Sequence, residues 1–379
     1  MTTPQLYNFN LKELKVEFEN RKEEAKQGVD KKLSNITLDE WFEEWFTRYK
    51  VPKIKETSIT PMKTKYRANF GRLIGNMKVA NIRNMDIQDV INTMQREGRA
   101  TSSMRDALGR VRECLESAKN NRIISETPCF DITVPWENVT KERRCLSQVE
   151  QNRFLQQVEN NWYKEMFYIM FLTGMRIGEV GGLKWEDVDF KNKCIDNISI
   201  NINRSLSCQY ESGVKTVRLT APKTHNSYRK IPFMGEAEEM FLSQKKKQDK
   251  IKKELGKRYR SDGEFSDLVF VTSMGSPVFR YHAEKEVKKV VKAINEQEAF
   301  DSVREQREPH YFEDLYPHAI RHTFCSRCFQ LNMNPKVVQK LMGHQHYSTT
   351  IDIYTHVMQD DIDSEVCKLE SAIATIPEE

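Results

Sequence analysis

Six side chains in the second half of the chain are of types that act on an anionic group: Arg176, Lys223, His318, Arg321, His344 and Tyr354. The first lies in LTGMRIGEVGGLKWEDVDF, residues 172–190, with Glu179 three positions on. Residues so spaced share a helical face, so Glu179 either orients an arginine that clamps an anion or forms an ordinary surface ion pair. Lys223 lies in APKTHNSYRKIPF, residues 221–233, in an expected turn between two strands. An amine there either reaches a cleft as a proton donor or stays solvated. In LYPHAIRHTF, residues 315–324, Pro317 suits the start of a helix, and His318 and Arg321 share one of its faces. His318 read alone is equally a capping or core histidine, and His322 is read as structural. In LMGHQHYSTTIDIYTHV, residues 341–357, Gly343 and His344 end one helix. Ser348 or Thr349 starts another, and Tyr354 lies inside it.

These groups need elements to hold them. Residues 37–137 read as a helical bundle. Thr37 is a candidate cap with Glu40 three residues later, and Trp41, Trp45 and Tyr49 follow at four-residue steps. Val111, Leu115 and Ala118 repeat the period, and strand alternation is absent. From residue 146 helical periodicity runs to about 188. Residues 195–202 and 214–220 are then rich in β-branched side chains and, with 229–233, predict a three-stranded antiparallel sheet. Helices resume after Gly235. The expected fold is mainly α with a small antiparallel β-sheet (α+β), built as a helical domain at 37–137, a linker at 138–145 and a second domain at 146–358. Residues 1–36 form a charged segment with Leu11, Leu14 and Phe18 at helical spacing. The acidic tail, 359–379, carries a narrow apolar stripe of Ile362, Val366, Leu369 and Ile373 that suits docking on its own domain or on a neighbouring copy.

Across 379 residues, 60 Lys and Arg stand against 55 Asp and Glu, a net +5 that by itself indicates no partner. The distribution says more. Residues 48–83 hold ten Lys or Arg and one acid, Glu56. That is a candidate phosphate-facing surface, with Lys50, Lys53, Lys63, Lys65 and Arg67 its leading members, or else a solvated basic face. Arg143 and Arg144 in the linker suit a strap along a DNA backbone, or an ordinary connection. A second basic run, residues 245–260 with nine bases and two acids, reads as a solvated helix face. The eight scattered cysteines read as free thiols of a reducing compartment. Cys325 and Cys328 lack the second ligand pair of a zinc site, so no metal is expected. The start of the chain shows no basic stretch followed by an apolar one, and the longest apolar run, residues 166–172, is too short to cross a bilayer.

Taken together the segments say more than each alone. The order Arg–Lys–His-x-x-Arg–His–Tyr, with TG-x-R-x-G-E, PH-x-x-RH and GH followed ten residues on by Tyr, resembles the catalytic signature of the tyrosine recombinases. Within that family the chain most resembles phage and conjugative-transposon integrases, and PKT, RHTFC, MNPK and MGH are similar to the conjugative-transposon group. The likeness covers roughly residues 37–375 and is strongest over 172–357.

The resemblance implies a site-specific DNA recombinase that integrates and excises a mobile element through a 3′-phosphotyrosine intermediate. It implies a helical core-DNA-binding domain followed by the catalytic domain. By it, Tyr354 is the nucleophile, preferred over Tyr347 by its spacing from His344. Arg176 and Arg321 hold the phosphate oxygens, a task that suits a permanently charged, forked guanidinium. His344 donates a further hydrogen bond, Lys223 protonates the departing 5′ oxygen, and His318 assists the tyrosine or the phosphate. Glu179 orients Arg176. No cofactor and no metal are required, because the cations are side chains. The implied partners are double-stranded attachment sites, a homotetramer on two DNA sites with the tail exchanged between protomers, and accessory excision or DNA-bending proteins. The implied place is the bacterial cytoplasm, at the nucleoid. Many such integrases carry an N-terminal arm-binding domain with a small sheet, for which residues 1–36 are too short and too helical. Alternatives left open are a recombinase for dimer resolution or inversion, a type IB topoisomerase-like nicking enzyme, a catalytically silent DNA-binding relative, and a metal enzyme built on the histidine-rich C-terminal third.

Overall fold

The computed structural model describes residues 35–136, 143–195, 205–211, 214–220, 229–260 and 263–358. The expected N-terminal helix, the acidic tail and Lys223 lie outside these residues. The chain divides into two compact units, Met1–Thr140 and Lys141–Glu379.

In the first unit, α1 (Leu38–Trp45) starts at Thr37, whose hydroxyl accepts from the Glu40 amide at 3.3 Å. The Glu40 carboxylate accepts in return from the Thr37 amide at 2.8 Å, so two otherwise orphaned donors are satisfied. Leu38, Trp41, Phe42 and Trp45 are buried, and the helix runs on through a wider turn, Phe46–Lys50. Tyr49, at the end of the four-residue series, is exposed instead and bonds Asn121. Next come α2 (Glu56–Tyr66), α3 (Asn84–Arg96) and α4 (Thr101–Asn120). Helix α4 buries Met104, Leu108, Val111, Leu115 and Ala118 at helical spacing. Each large apolar side chain so buried contributes roughly 1.5–3 kcal/mol. Phe42 stacks on Tyr66 at 3.6 Å between ring centroids, and Trp41 Nε1 donates to the Cys114 carbonyl at 2.9 Å, which locks α1 to α2 and α4.

The second unit opens with α5 (Gln148–Gln157), capped reciprocally by Ser147 and Glu150. Helix α6 (Lys164–Thr173) buries Met166, Phe167, Ile169, Met170 and Phe171, so it is apolar nearly all round and forms the centre of the core. It ends at Gly174, with φ 62°. A Cβ there would meet Phe324 Cδ1 at 2.3 Å, so both the backbone conformation and the space require glycine. The short α7 (Ile177–Gly182) follows, then β1 (Val188–Asp189), β2 (Cys194–Ile195), β3 (Ser205–Glu211), β4 (Val214–Thr220) and β5 (Ile231–Pro232). Helices α8 (Gly235–Leu255), α9 (Arg280–Glu305), α10 (Pro317–Gln330), α11 (Pro335–Met342) and α12 (Tyr347–Met358) complete it.

The class is as expected, helices with a small three-stranded antiparallel sheet, but the strands pair differently. The order is β1–β2–β5, with Val188 opposite Ile195 and Ile195 opposite Ile231. Residues 214–220 pair instead with Ser205–Glu211 as a separate hairpin, Ser205 opposite Thr220. The sequence of β3, SLSCQYE, is too polar to be read as a strand, and its pairing with β4 holds it extended. The basic run on α8 is partly built in. Lys247 pairs with Glu165 and donates to the Trp162 carbonyl at 2.7 Å, while Lys245 lies over the Trp185 ring. Among the described residues no helix is long and apolar enough to cross a membrane, and no cluster of side chains is arranged to hold a metal ion.

Candidate active site

Two helix ends and one helix face build the site. The left-handed caps of α6 and α11, Gly174 and Gly343, turn their carbonyls toward the same place. Arg321, on α10, donates from Nη1 to the Gly174 carbonyl at 2.6 Å and from Nη2 to the Met342 carbonyl. Arg176 donates from Nη2 to the Gly343 carbonyl at 3.1 Å. A small apolar cluster of Cys325, Cys328, Phe329, Val338, Met342 and Ile353 packs α10, α11 and α12 together beneath these contacts.

Glu179 is the hub. Arg176 immediately precedes α7, and Glu179 reaches back to it, accepting from its amide at 2.8 Å and from Nη1 at 2.8 Å. The two are therefore not a surface pair along a helix. The Glu179 side chain is 5% exposed, and it also accepts from both terminal nitrogens of Arg229, at 3.1 and 2.8 Å. Arg321 Nη1 stands 4.0 Å from it. Burial pushes the carboxyl up, but the charges and hydrogen bonds of Arg229, with Arg321 and Arg176, outweigh it and hold Glu179 ionised far below the usual carboxylate range. Burial lowers Arg321 to about 9, which leaves it a cation at neutral pH.

His344 follows Gly343 and is buried, with Nδ1 2.9 Å from the Thr350 hydroxyl on α12. Burial first, then the Arg321 and Arg176 charges, lower it to about 3, so at neutral pH its ring is uncharged. A neutral ring carries one N–H. A Thr350 hydroxyl donating to Nδ1 leaves that proton on Nε2. His318 lies on the open side of α10 and meets the His322 ring edge-on at 4.8 Å. Desolvation by the packed walls, then Arg321 and Arg176, hold His318 below its ordinary value as well. His322 is buried and lowered to about 3 by burial and then by His318.

The structure thus brings Arg176, Glu179, Arg321, His318 and His344 together. For Tyr354 it describes the backbone, one turn beyond Thr350 on α12. Tyr347, at the start of that helix, has its ring under Lys336 Nζ at 4.3 Å. Arg321 was expected to fork onto two oxygens of a ligand. Here both terminal nitrogens already donate to carbonyls and the side chain is 1% exposed, whereas that of Arg176 is 34% exposed. Sequence reading missed two residues. In the sequence Arg229 reads only as the start of a strand, and Thr350 stands in no pattern of its own. A signal for Arg229 exists: an arginine two residues before a buried strand residue, Ile231, falls on the same buried face and needs a buried acid.

The basic candidates fare unevenly. Arg143 donates to the Thr349 carbonyl at 3.2 Å and pairs with Asp352 at 3.3 Å, so it braces α12. Arg144 is enclosed by Glu150, the Cys145 carbonyl and the Phe312 ring. In the first unit Lys50 pairs with Glu113, Lys63 with Glu43, Lys65 with Asp106 at 3.1 Å and Arg67 with Glu43 at 3.1 Å. Lys53 is exposed. The run that lacks acids in sequence is supplied with them in space by α1 and α4.

Comparison with known proteins places the chain. Residues 144–360 match the Phage integrase family, and residues 37–95 match the N-terminal SAM-like domain of phage integrases. The chain is 26% identical over 364 residues to a XerC-like tyrosine recombinase of Caldanaerobacter subterraneus, covering 91% of this chain and 86% of that protein. It is 25% identical over 323 residues to the transposase of transposon Tn916 from Enterococcus faecalis, covering 84% and 74%. Among solved structures, the fold is similar to the Tn1549 transposon integrase in complex with a circular intermediate DNA, with TM-score 0.69 and 20% identity, over 88% of this chain and 99% of that one.

Proposed function

The chain belongs to the phage integrase family, and from that premise we propose that Tyr354 is the nucleophile of its strand exchange. The enzyme is a tyrosine recombinase, which cuts and rejoins DNA through a tyrosine intermediate, and its activity is site-specific recombination for integration and excision of a mobile element. The phenol oxygen attacks a backbone phosphorus, a phosphotyrosine ester forms at the 3′ end, and the bond to the 5′ oxygen breaks. Lys223 gives that oxygen its proton, leaving a 5′ hydroxyl. Reversal of the same steps on a new partner strand rejoins the DNA, and since bond energy is kept in the ester no nucleotide cofactor is consumed.

The observation that supports this reading is the link from His344 Nδ1 to Thr350 at 2.9 Å. It ties α12 to the arginine cluster one turn before Tyr354, whereas the Tyr347 ring is engaged by Lys336. Negative charge grows on the non-bridging phosphate oxygens during attack. Arg176, the more exposed guanidinium, meets it first. Arg321 supplies charge from behind and shares its carbonyl bonds when the phosphate seats. His344, neutral, donates from Nε2, and His318, also neutral at pH 7, accepts the tyrosine proton. Each such contact is worth on the order of 10²–10³ in rate.

The domain assignment proposed is core-DNA binding by 37–137 and catalysis by 146–358, with 138–145 between them. The Lys50, Lys53, Lys63, Lys65 and Arg67 surface meets phosphates, with Lys50, Lys63, Lys65 and Arg67 exchanging their ion pairs for them. Assembly as a tetramer on two sites, tail exchange through 359–379, accessory excision or bending proteins, and work at the nucleoid of the bacterial cytoplasm complete the reading. A duplex nicked just downstream of the scissile phosphate, incubated with the protein and a chelator, tests it. A protein–DNA adduct that survives denaturant is expected. Tight binding to the correct site with no adduct favours the silent DNA-binding alternative.

A further inference from the structure

Among the described residues four charged groups meet in the core of the site, and their sum bears on how strongly it holds an anion. Arg176, Arg229 and Arg321 surround the single carboxylate of Glu179. Arg229 is placed unlike the other two. Its side chain, like that of Arg321, is 1% exposed, but both its terminal nitrogens go to the two Glu179 oxygens, and its Nε donates to the Leu341 carbonyl at 2.5 Å. Such a two-pronged, fully enclosed pair satisfies the carboxylate in both charge and geometry.

We infer that Arg229 is a positioning residue for strand cleavage: it neutralises Glu179 from the buried side, so that Arg176 and Arg321 keep their two positive charges for the scissile phosphate. Without Arg229, the cations left beside the buried carboxylate among the described residues are Arg176 and Arg321. Glu179 then draws both inward and competes with the phosphate for them. The Nε hydrogen bond to Leu341 also fixes the last turn of α11, whose next carbonyls, Met342 and Gly343, receive Arg321 and Arg176. Arg229 touches no substrate, and its effect passes through Glu179. The inference rests on the recombinase reading above.

The test uses the full chain and the nicked duplex, with single-turnover adduct formation and DNA affinity measured separately. Arg229→Met should lower the cleavage rate at saturating DNA by about 100-fold, the size expected for losing one preorganised charge contact. Affinity for the duplex, spread over many phosphates, should change by less than about threefold. In a Glu179→Gln background, where no buried charge needs balancing, adding Arg229→Met should cost less than about tenfold, the signature of two coupled residues. Arg229→Lys keeps the charge and covers the case in which Arg229→Met does not fold. A buried lysine loses its proton where an arginine does not. Its cleavage should therefore fall with rising pH across a range where the wild type stays level. Equal losses in both backgrounds, or a lysine variant whose pH profile parallels the wild type, overturn the inference. Failure of the recombinase reading looks different: the wild type itself forms no adduct.

Discussion

Arginine and lysine are used in two ways in this molecule. In the second unit Arg229 and Arg321 are buried and fixed by helix-end carbonyls and one carboxylate. In the first unit Lys65 and Arg67 lie on the surface, their side chains 59% and 69% exposed, each with a single acidic partner. Buried cations held by several bonds are preorganised, and removing a partner leaves charge uncompensated. Exposed pairs are worth about 0–1 kcal/mol and exchange readily for other anions. The same residue types therefore serve a rigid site in one unit and an adaptable surface in the other.

The contrast breaks most visibly at Arg321. Arg321→Ala should slow adduct formation by about 10³-fold or more and leave Glu179 with one cation fewer. A single-turnover assay that finds less than tenfold would put Arg321 among the adaptable cations. Acid should act next. His322 and His344 are held neutral with pKa values of about 3, below the ordinary 6.5. A histidine lowered in the folded state contributes stability that is fully present above pH 6.5 and is lost as pH falls toward the folded value. Thermal melting of the catalytic unit's core should thus weaken steadily from pH 6.5 to 3.5, and His322→Phe should flatten that slope.

Gly174→Ala should destabilise by about 2–3 kcal/mol, since its Cβ meets Phe324 at 2.3 Å in a left-handed backbone. Denaturant melts check this, and an unchanged midpoint contradicts the rigid-cap account. Thr350→Val, nearly isosteric, should cost about fivefold to tenfold in cleavage through loss of the hydrogen bond that sets the His344 ring, while Thr350→Ser restores it. The smallest effect belongs to the first unit. Lys65→Gln should leave stability within about 0.5 kcal/mol and reduce the salt dependence of DNA binding by about one phosphate contact.

How much of this the sequence showed follows from the range of each signal. Local patterns were legible: Thr37 and Glu40 cap α1, and Val111, Leu115 and Ala118 line the buried face of α4. Residues 172–357 carried the family likeness because the chemistry demands particular side chains at spacings set by helix ends. Long-range facts were not legible. The acids that pair with Lys63, Arg67 and Lys65 come from other helices, Glu43 on α1 and Asp106 on α4. The partner of residues 214–220 is a polar strand, and Arg229 owes its burial to Glu179, fifty residues away.

The central claim is that one phenol, Tyr354, takes the DNA. Its direct measurement is to trap the adduct on the nicked duplex, digest both components and identify by mass spectrometry the tyrosine that carries the nucleotide, with Tyr354→Phe and Tyr347→Phe in parallel. The nucleotide is expected on Tyr354 alone, with no adduct from Tyr354→Phe and an unimpaired adduct from Tyr347→Phe. A nucleotide on Tyr347, or an adduct that persists in Tyr354→Phe, would contradict it.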